Sequence, residues 1–197
     1  MSNPVLRKDP RNHLIPILDL IEVPQSNLAF MVMEEWSPNF VPDPPQTLRL
    51  FLGALRQCIE HAVFMHSHHI AHLDISIRNL LTDYNSHYAY IDFELSRRFE
   101  GIPDPRIRCC RGTEVAPELE RGEWGDPYKA DIWSLAHLMI HASSVTGYDV
   151  PELSPLIKAM RTQNFSSRPT AAVVLREFDS ITRRISDTRL QVSSYFC

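Results

Sequence analysis

The segment Lys129 to Ser144, KADIWSLAHLMIHASS, is apolar on nearly every helical face. A helix without a polar side is stable only inside a core, so other elements of the chain must surround it. Thr47 to His66 is the best partner. There Leu48, Phe51, Leu52, Leu55, Ile59, Ala62 and Val63 recur at helical spacing, and Thr47 is placed to cap the start. Leu153 to Met160 and Ala171 to Phe178 read as two further helices, with Ile181 to Leu190 continuing the second. The 197 residues, 44% of them hydrophobic, suit one domain with a sizeable core.

The earlier part of the chain has a different pattern. Leu14 to Val23 and Leu28 to Trp36 are apolar runs on either side of Pro24-Gln-Ser-Asn27, which predicts two strands and a turn. Ser37 to Pro45 holds Pro38, Pro42, Pro44 and Pro45 and reads as an extended connector. Asn79 to Thr82 and Tyr88 to Phe93 form two short strand-like runs around Asp83 to Ser86. Residues 99–128 are rich in Pro, Gly and Arg, and an irregular segment of that length is usually functional.

Several classes of protein are disfavoured. A formal charge of −4 argues against a dedicated nucleic-acid or anionic-membrane surface. Arg7, Lys8, Asp9, Arg11 and Asp19 interrupt the start, so no signal peptide is expected, and apolar stretches such as Leu28 to Met33 are too short for a transmembrane segment. Cys58, Cys109, Cys110 and Cys197 show no C-x-x-C spacing, which predicts reduced thiols in a cytoplasmic or nuclear protein. The histidines of His66-Ser-His68-His69-Ile-Ala-His72 lack a second ligand segment at zinc spacing. They read as a polar helix end, with His72 singled out.

The chemistry lies in His72-Leu-Asp74-Ile-Ser-Ile-Arg-Asn79, followed by Ile91-Asp92-Phe93-Glu94. Phosphoryl transfer requires a carboxylate to orient the attacking hydroxyl and hard oxygen ligands to hold magnesium on the phosphates. Asp74 suits the first role, and Asn79 and Asp92 suit the second. Taken singly, each is an ordinary loop acid or turn asparagine.

Together they resemble the protein kinase family, whose motifs are H-R-D-x-x-x-x-N, D-F-G and A-P-E. Gly112-Thr-Glu-Val-Ala116-Pro-Glu118 resembles the end of a kinase activation segment. Tyr128-Lys-Ala-Asp131-Ile-Trp133-Ser resembles the buried helix of the large lobe, and Arg168-Pro-Thr the late arginine that pairs with the A-P-E glutamate. The run H-x-D-I-S with Asn79 is similar to a kinase group expanded in fungi. The resemblance implies an α+β fold with a mostly helical C-lobe and a two-stranded remnant of the N-lobe sheet. It divides the chain into an N-lobe part (1–36), a linker (37–46), a C-lobe (47–190) and a tail (191–197). It implies catalytic roles for Asp74, Asn79 and Asp92, with magnesium on Asn79 and Asp92. Met33, Glu34, Glu35 and Trp36 would meet the nucleotide, while His72, Glu118, Asp131 and Arg168 would be structural. ATP and magnesium are the implied cofactors. A protein substrate or protein partner is expected, with no nucleic acid and no membrane.

Departures from the family pattern qualify these expectations. The six glycines form no G-x-G-x-x-G, and the only lysines are Lys8, Lys129 and Lys158. The family's glycine-rich loop, third-strand lysine and paired glutamate have no counterpart before Leu14. The chain is therefore expected to be truncated relative to the family, with weak nucleotide binding and low activity. Leu73 replaces the arginine of H-R-D, and no Ser, Thr or Tyr lies between Arg97 and Gly112, so no phosphorylation control is expected there. Glu94 replaces the glycine of D-F-G. Two alternatives remain beside a kinase: a catalytically inactive pseudokinase, and a small-molecule kinase of the choline or aminoglycoside type. The latter group lacks A-P-E and the late arginine. A two-stranded ribbon is marginal unless packed, which predicts poor solubility or a partner for it.

Overall fold

The computed structural model describes residues 4–37, 45–108 and 111–193. The first strands are β1 (Ile17–Glu22) and β2 (Ala29–Met33), paired antiparallel with Leu20 opposite Met31 and Ile21 opposite Phe30. Among the described residues no third strand joins this ribbon. Leu18, Leu20, Phe30 and Met31 are accordingly more than half exposed. Its anchorage comes from its ends. Leu14 bridges to Tyr90, Ile15 is buried, and Ser37 exchanges two backbone hydrogen bonds of 2.8 Å with Thr82.

The helices α1 (Leu48–Ser67), α2 (Pro117–Glu120), α3 (Pro127–Thr146), α4 (Ser154–Met160), α5 (Ala171–Thr182) and α6 (Asp187–Leu190) build the rest. Thr47 has extended backbone, and its hydroxyl accepts the Leu50 N–H at 3.3 Å, which starts α1. The apolar stripe of α1 then meets α3 and α5 in one core containing Phe51, Leu55, Ile59, Ile132, Leu135, Met139, Val174 and Phe178. Helix α3 is buried over most of its length, from Ala130 to Met139 above all, while Ile140, His141 and Ser144 reach the surface. It starts two residues before the apolar run. The Asp126 carboxylate accepts the N–H groups of Tyr128 and Lys129, and Pro127 at the first position has no donor to satisfy. Gly147 closes the helix at φ 73°, a left-handed cap.

Ile181 to Leu190 does not continue α5. Helix α5 ends at Thr182, and Ser186 caps α6 through its hydroxyl and the Arg189 N–H, 3.4 Å apart. The break turns Ile185 into the core, so burial outweighs helix continuity at this point.

Four short strands complete the fold: β3 (Ile70–Ala71), β4 (Leu80–Thr82), β5 (Tyr88–Tyr90) and β6 (Arg97–Arg98). The β4–β5 hairpin turns on Asp83, whose carboxylate accepts the N–H groups of Asn85 and His87. β3 pairs with β6 over two residues, too few to leave a periodic pattern in the sequence. Of residues 99–128, the described ones before α3 are irregular apart from α2 and a bridge between Ile107 and Gly125. This is the expected α+β arrangement, a helical lobe with small two-stranded sheets. Pro38, Pro42 and Pro44 of the connector, Cys109, Cys110 and Cys197, and the end of the tail lie outside the described residues. Cys58 is buried, and burial pushes its thiol up to about 12, so it is unreactive near neutral pH. No helix among the described residues is long and apolar enough to cross a membrane.

Candidate active site

The loop after β3 is held from below by α3. Asp131, almost fully buried, accepts the N–H of His72 at 2.8 Å on one oxygen and that of Leu73 at 2.7 Å on the other. His66 Nε2 lies 2.9 Å from the same carboxylate. This grip holds Leu73 at φ 66°, a conformation unfavourable for leucine that persists only when its surroundings impose it. The His72 ring is buried against Tyr90 and Phe93, with ring centres 5.3 and 4.9 Å away. Burial holds its pKa below the ordinary histidine value, and the neutral ring accepts the Asp74 N–H on Nδ1 at 3.3 Å. His72 and Asp131 thus shape the loop and leave Asp74 at its surface.

Both carboxylate oxygens of Asp74 have partners. Oδ1 accepts the Thr113 N–H at 2.6 Å, and Oδ2 accepts Asn79 Nδ2 at 2.8 Å. The Asn79 amide nitrogen also reaches the Asp74 carbonyl at 2.9 Å, so its amide oxygen faces away and, among the described residues, has no donor. The β4–β5 hairpin brings the second acid close. The Ile91 N–H donates to the Asn79 carbonyl at 3.0 Å, and Asp92 follows at φ 60°. Asp74, Asp92, Glu94, Leu95 and Arg111 line one cleft of about 360 Å³. A neighbouring cavity of about 400 Å³ has Leu73, Arg97, Ile107, Arg111 and Ala116 among its walls.

Sequence patterns alone gave no sign of the contact between Gly112-Thr113 and the loop. A Cβ on Gly112 would come within 2.6 Å of the Leu73 carbonyl, so only glycine allows this approach. The G-T pair was visible in the sequence, but its partner lies 39 residues earlier. Arg111 belongs to no sequence motif, and only the fold brings it to the cleft.

The remaining expected residues lie outside this cleft. Glu118 of α2 and Arg168 form a fully buried bidentate pair at 2.8 and 2.6 Å. Arg168 also donates to the Thr162 and Lys129 carbonyls and stacks over Trp133, and Lys129 Nζ donates to the Arg168 carbonyl. Met33 ends β2, and Glu34, Glu35 and Trp36 run on from it toward the Ser37–Thr82 bridge. The Glu34 N–H is spent on the Pro16 carbonyl at 3.1 Å, and Trp36 Nε1 donates to the Glu34 carboxylate. Among the described residues no three His, Cys, Asp or Glu gather closely enough to hold a metal by themselves. A magnesium ion here would therefore need Asn79 and phosphate oxygens beside Asp92.

The family model for the protein kinase domain matches residues 45–150. Maternal embryonic leucine zipper kinase of Xenopus tropicalis is 31% identical over 137 residues, covering 64% of this chain and 20% of that protein. Mitogen-activated protein kinase kinase kinase 6 of Homo sapiens is 32% identical over 127 residues, 62% of this chain and 9% of that protein. Serine/threonine-protein kinase PLK4 of Drosophila yakuba is 35% identical over 88 residues, 43% of this chain and 11% of that protein. The matched parts span a fifth or less of these relatives.

Proposed function

The chain belongs to the protein kinase domain family, and from that premise we propose that it transfers the terminal phosphoryl group of ATP to a hydroxyl of a protein substrate. The observation that carries the reading is the arrangement of Asp74, Asn79 and Asp92, with Asp74 and Asn79 hydrogen-bonded and Asp92 on the same cleft. Asp74 orients the acceptor hydroxyl and accepts its proton as the bond to phosphorus forms. Asn79 and Thr113 hold that carboxylate in position, so little reorganisation is needed when the substrate arrives. The donor set suits magnesium: the Asn79 amide oxygen and the Asp92 carboxylate are hard oxygen ligands. When bound, magnesium neutralises phosphate charge and aligns the leaving oxygen. Met33 to Trp36 form the adenine side of the site, and the protein substrate meets the face formed by residues 112–116. His72, Asp131, Glu118 and Arg168 position the loop and the segment that frames it.

The finer part of the proposal is that turnover is slow. Glu94 adds a third carboxylate to the cleft, which repels the phosphates of a nucleotide. The same observation favours a second reading, a binding module without catalysis. A thermal-shift titration separates the two. Mg-ATP should raise the melting temperature of the natural chain, and Asp92→Asn should abolish the shift. A natural chain that shows no shift belongs to the second reading.

A further inference from the structure

Among the described residues, Arg111 is the single cation lining the cleft with Asp74, Asp92 and Glu94. Most arginines of the chain have an ion pair or hydrogen bond, such as Arg56 with Glu60 and Asp179 or Arg121 with Glu123. Arg111 has none to a described residue, although three carboxylates border the same space. Its position is set by the residues that follow it. Gly112 lies against the Leu73 carbonyl, and the Thr113 N–H is bonded to Asp74. The backbone at Arg111 is therefore tied to the catalytic loop, and its side chain borders the cleft without being neutralised there.

We infer that Arg111 is a further phosphate-binding residue, one that contacts the terminal phosphate of the nucleotide between Asp74 and Asp92. The inference rests on the kinase reading. Three carboxylates repel a phosphate, and a guanidinium offers paired donors that match phosphate oxygens in charge and geometry. Asp74, Asp92 and Glu94 keep this cation at the cleft by long-range attraction and leave its donors free for the ligand. Arg97 borders only the adjoining cavity, so it serves as a charge-matched control.

The test is calorimetric titration of the whole chain with Mg-ATP and with Mg-ADP. Arg111→Ala should weaken Mg-ATP binding about tenfold or more, the loss expected for a charge-assisted hydrogen bond. It should leave Mg-ADP affinity unchanged, because the terminal phosphate is the one contacted. Arg111→Lys should fall between the two, and Arg97→Ala should match the natural chain. If Arg111→Ala binds Mg-ATP normally, or loses both nucleotides equally, the inference is wrong and the kinase reading stands. If the natural chain binds neither nucleotide, the kinase reading fails and the inference fails with it.

Discussion

Arg168 is the largest fully buried side chain among the described residues. Burying a guanidinium is costly unless its donors are used, and here four bonds use them: two to Glu118 and one each to the Thr162 and Lys129 carbonyls. Removing it leaves the Glu118 carboxylate, only 2% exposed, without its counter-charge. Arg168→Ala should cost about 3–5 kcal/mol in urea denaturation. A loss below about 1 kcal/mol would mean that solvent reaches Glu118 in the native protein. The two residues were recognisable from the A-P-E and R-P-T motifs, but their burial was not, because the residues that enclose them come from four separate segments. Asp74, Asn79 and Asp92 were likewise legible from spacing. The Thr113 bond, the close approach of Gly112 and the position of Arg111 depend on a segment that folds back from far along the chain.

At the scale of elements, α3 links stability to the site. Its first turn is capped by Asp126, and its second presents Asp131 to the His72–Leu73 backbone. Asp126→Ala should destabilise the protein by about 0.5–2 kcal/mol, while Asp126→Asn, an equally good cap, should change little. Urea midpoints of the two variants check this, and equal losses would show that the carboxylate charge matters more than the cap. Apolar periodicity alone starts this helix at Lys129, although Asp126-Pro127 carries the stronger start signal. The same criterion joins α5 and α6, because Ile181 and Ile185 keep helical spacing across Arg183 and Arg184, and the capping role of Ser186 separates them.

For the molecule as a whole, acid should be the vulnerable direction. His61 is fully enclosed, and burial pushes its pKa down to about 3. His72 is shifted the same way by burial. The unfolded chain takes up these protons near pH 6.5 and the native protein does not, so their contribution is intact above that pH. For His61 it falls as the pH drops from 6.5 toward 3, by up to about 1.4 kcal/mol per pH unit, and for His72 it falls in the same direction. Between pH 7.5 and pH 5 the loss from His61 alone should be about 2 kcal/mol. Urea denaturation at the two values measures it, and His61→Leu should flatten the dependence. An unchanged slope in that variant would assign the acid sensitivity to other groups.

The sequence by itself determined the α+β class, the buried helix, the capped helix before the loop and the family, because hydrophobic period, capping residues and motif order are local properties. The tertiary structure alone decided which of these local features meet. It bonded Thr113 to Asp74, closed Glu118 and Arg168 away from water, and placed Arg111 beside three acids with no ion pair to a described residue. Those outcomes depend on distances between residues far apart in the chain, and such distances exist only once the apolar faces of α1, α3 and α5 have packed together.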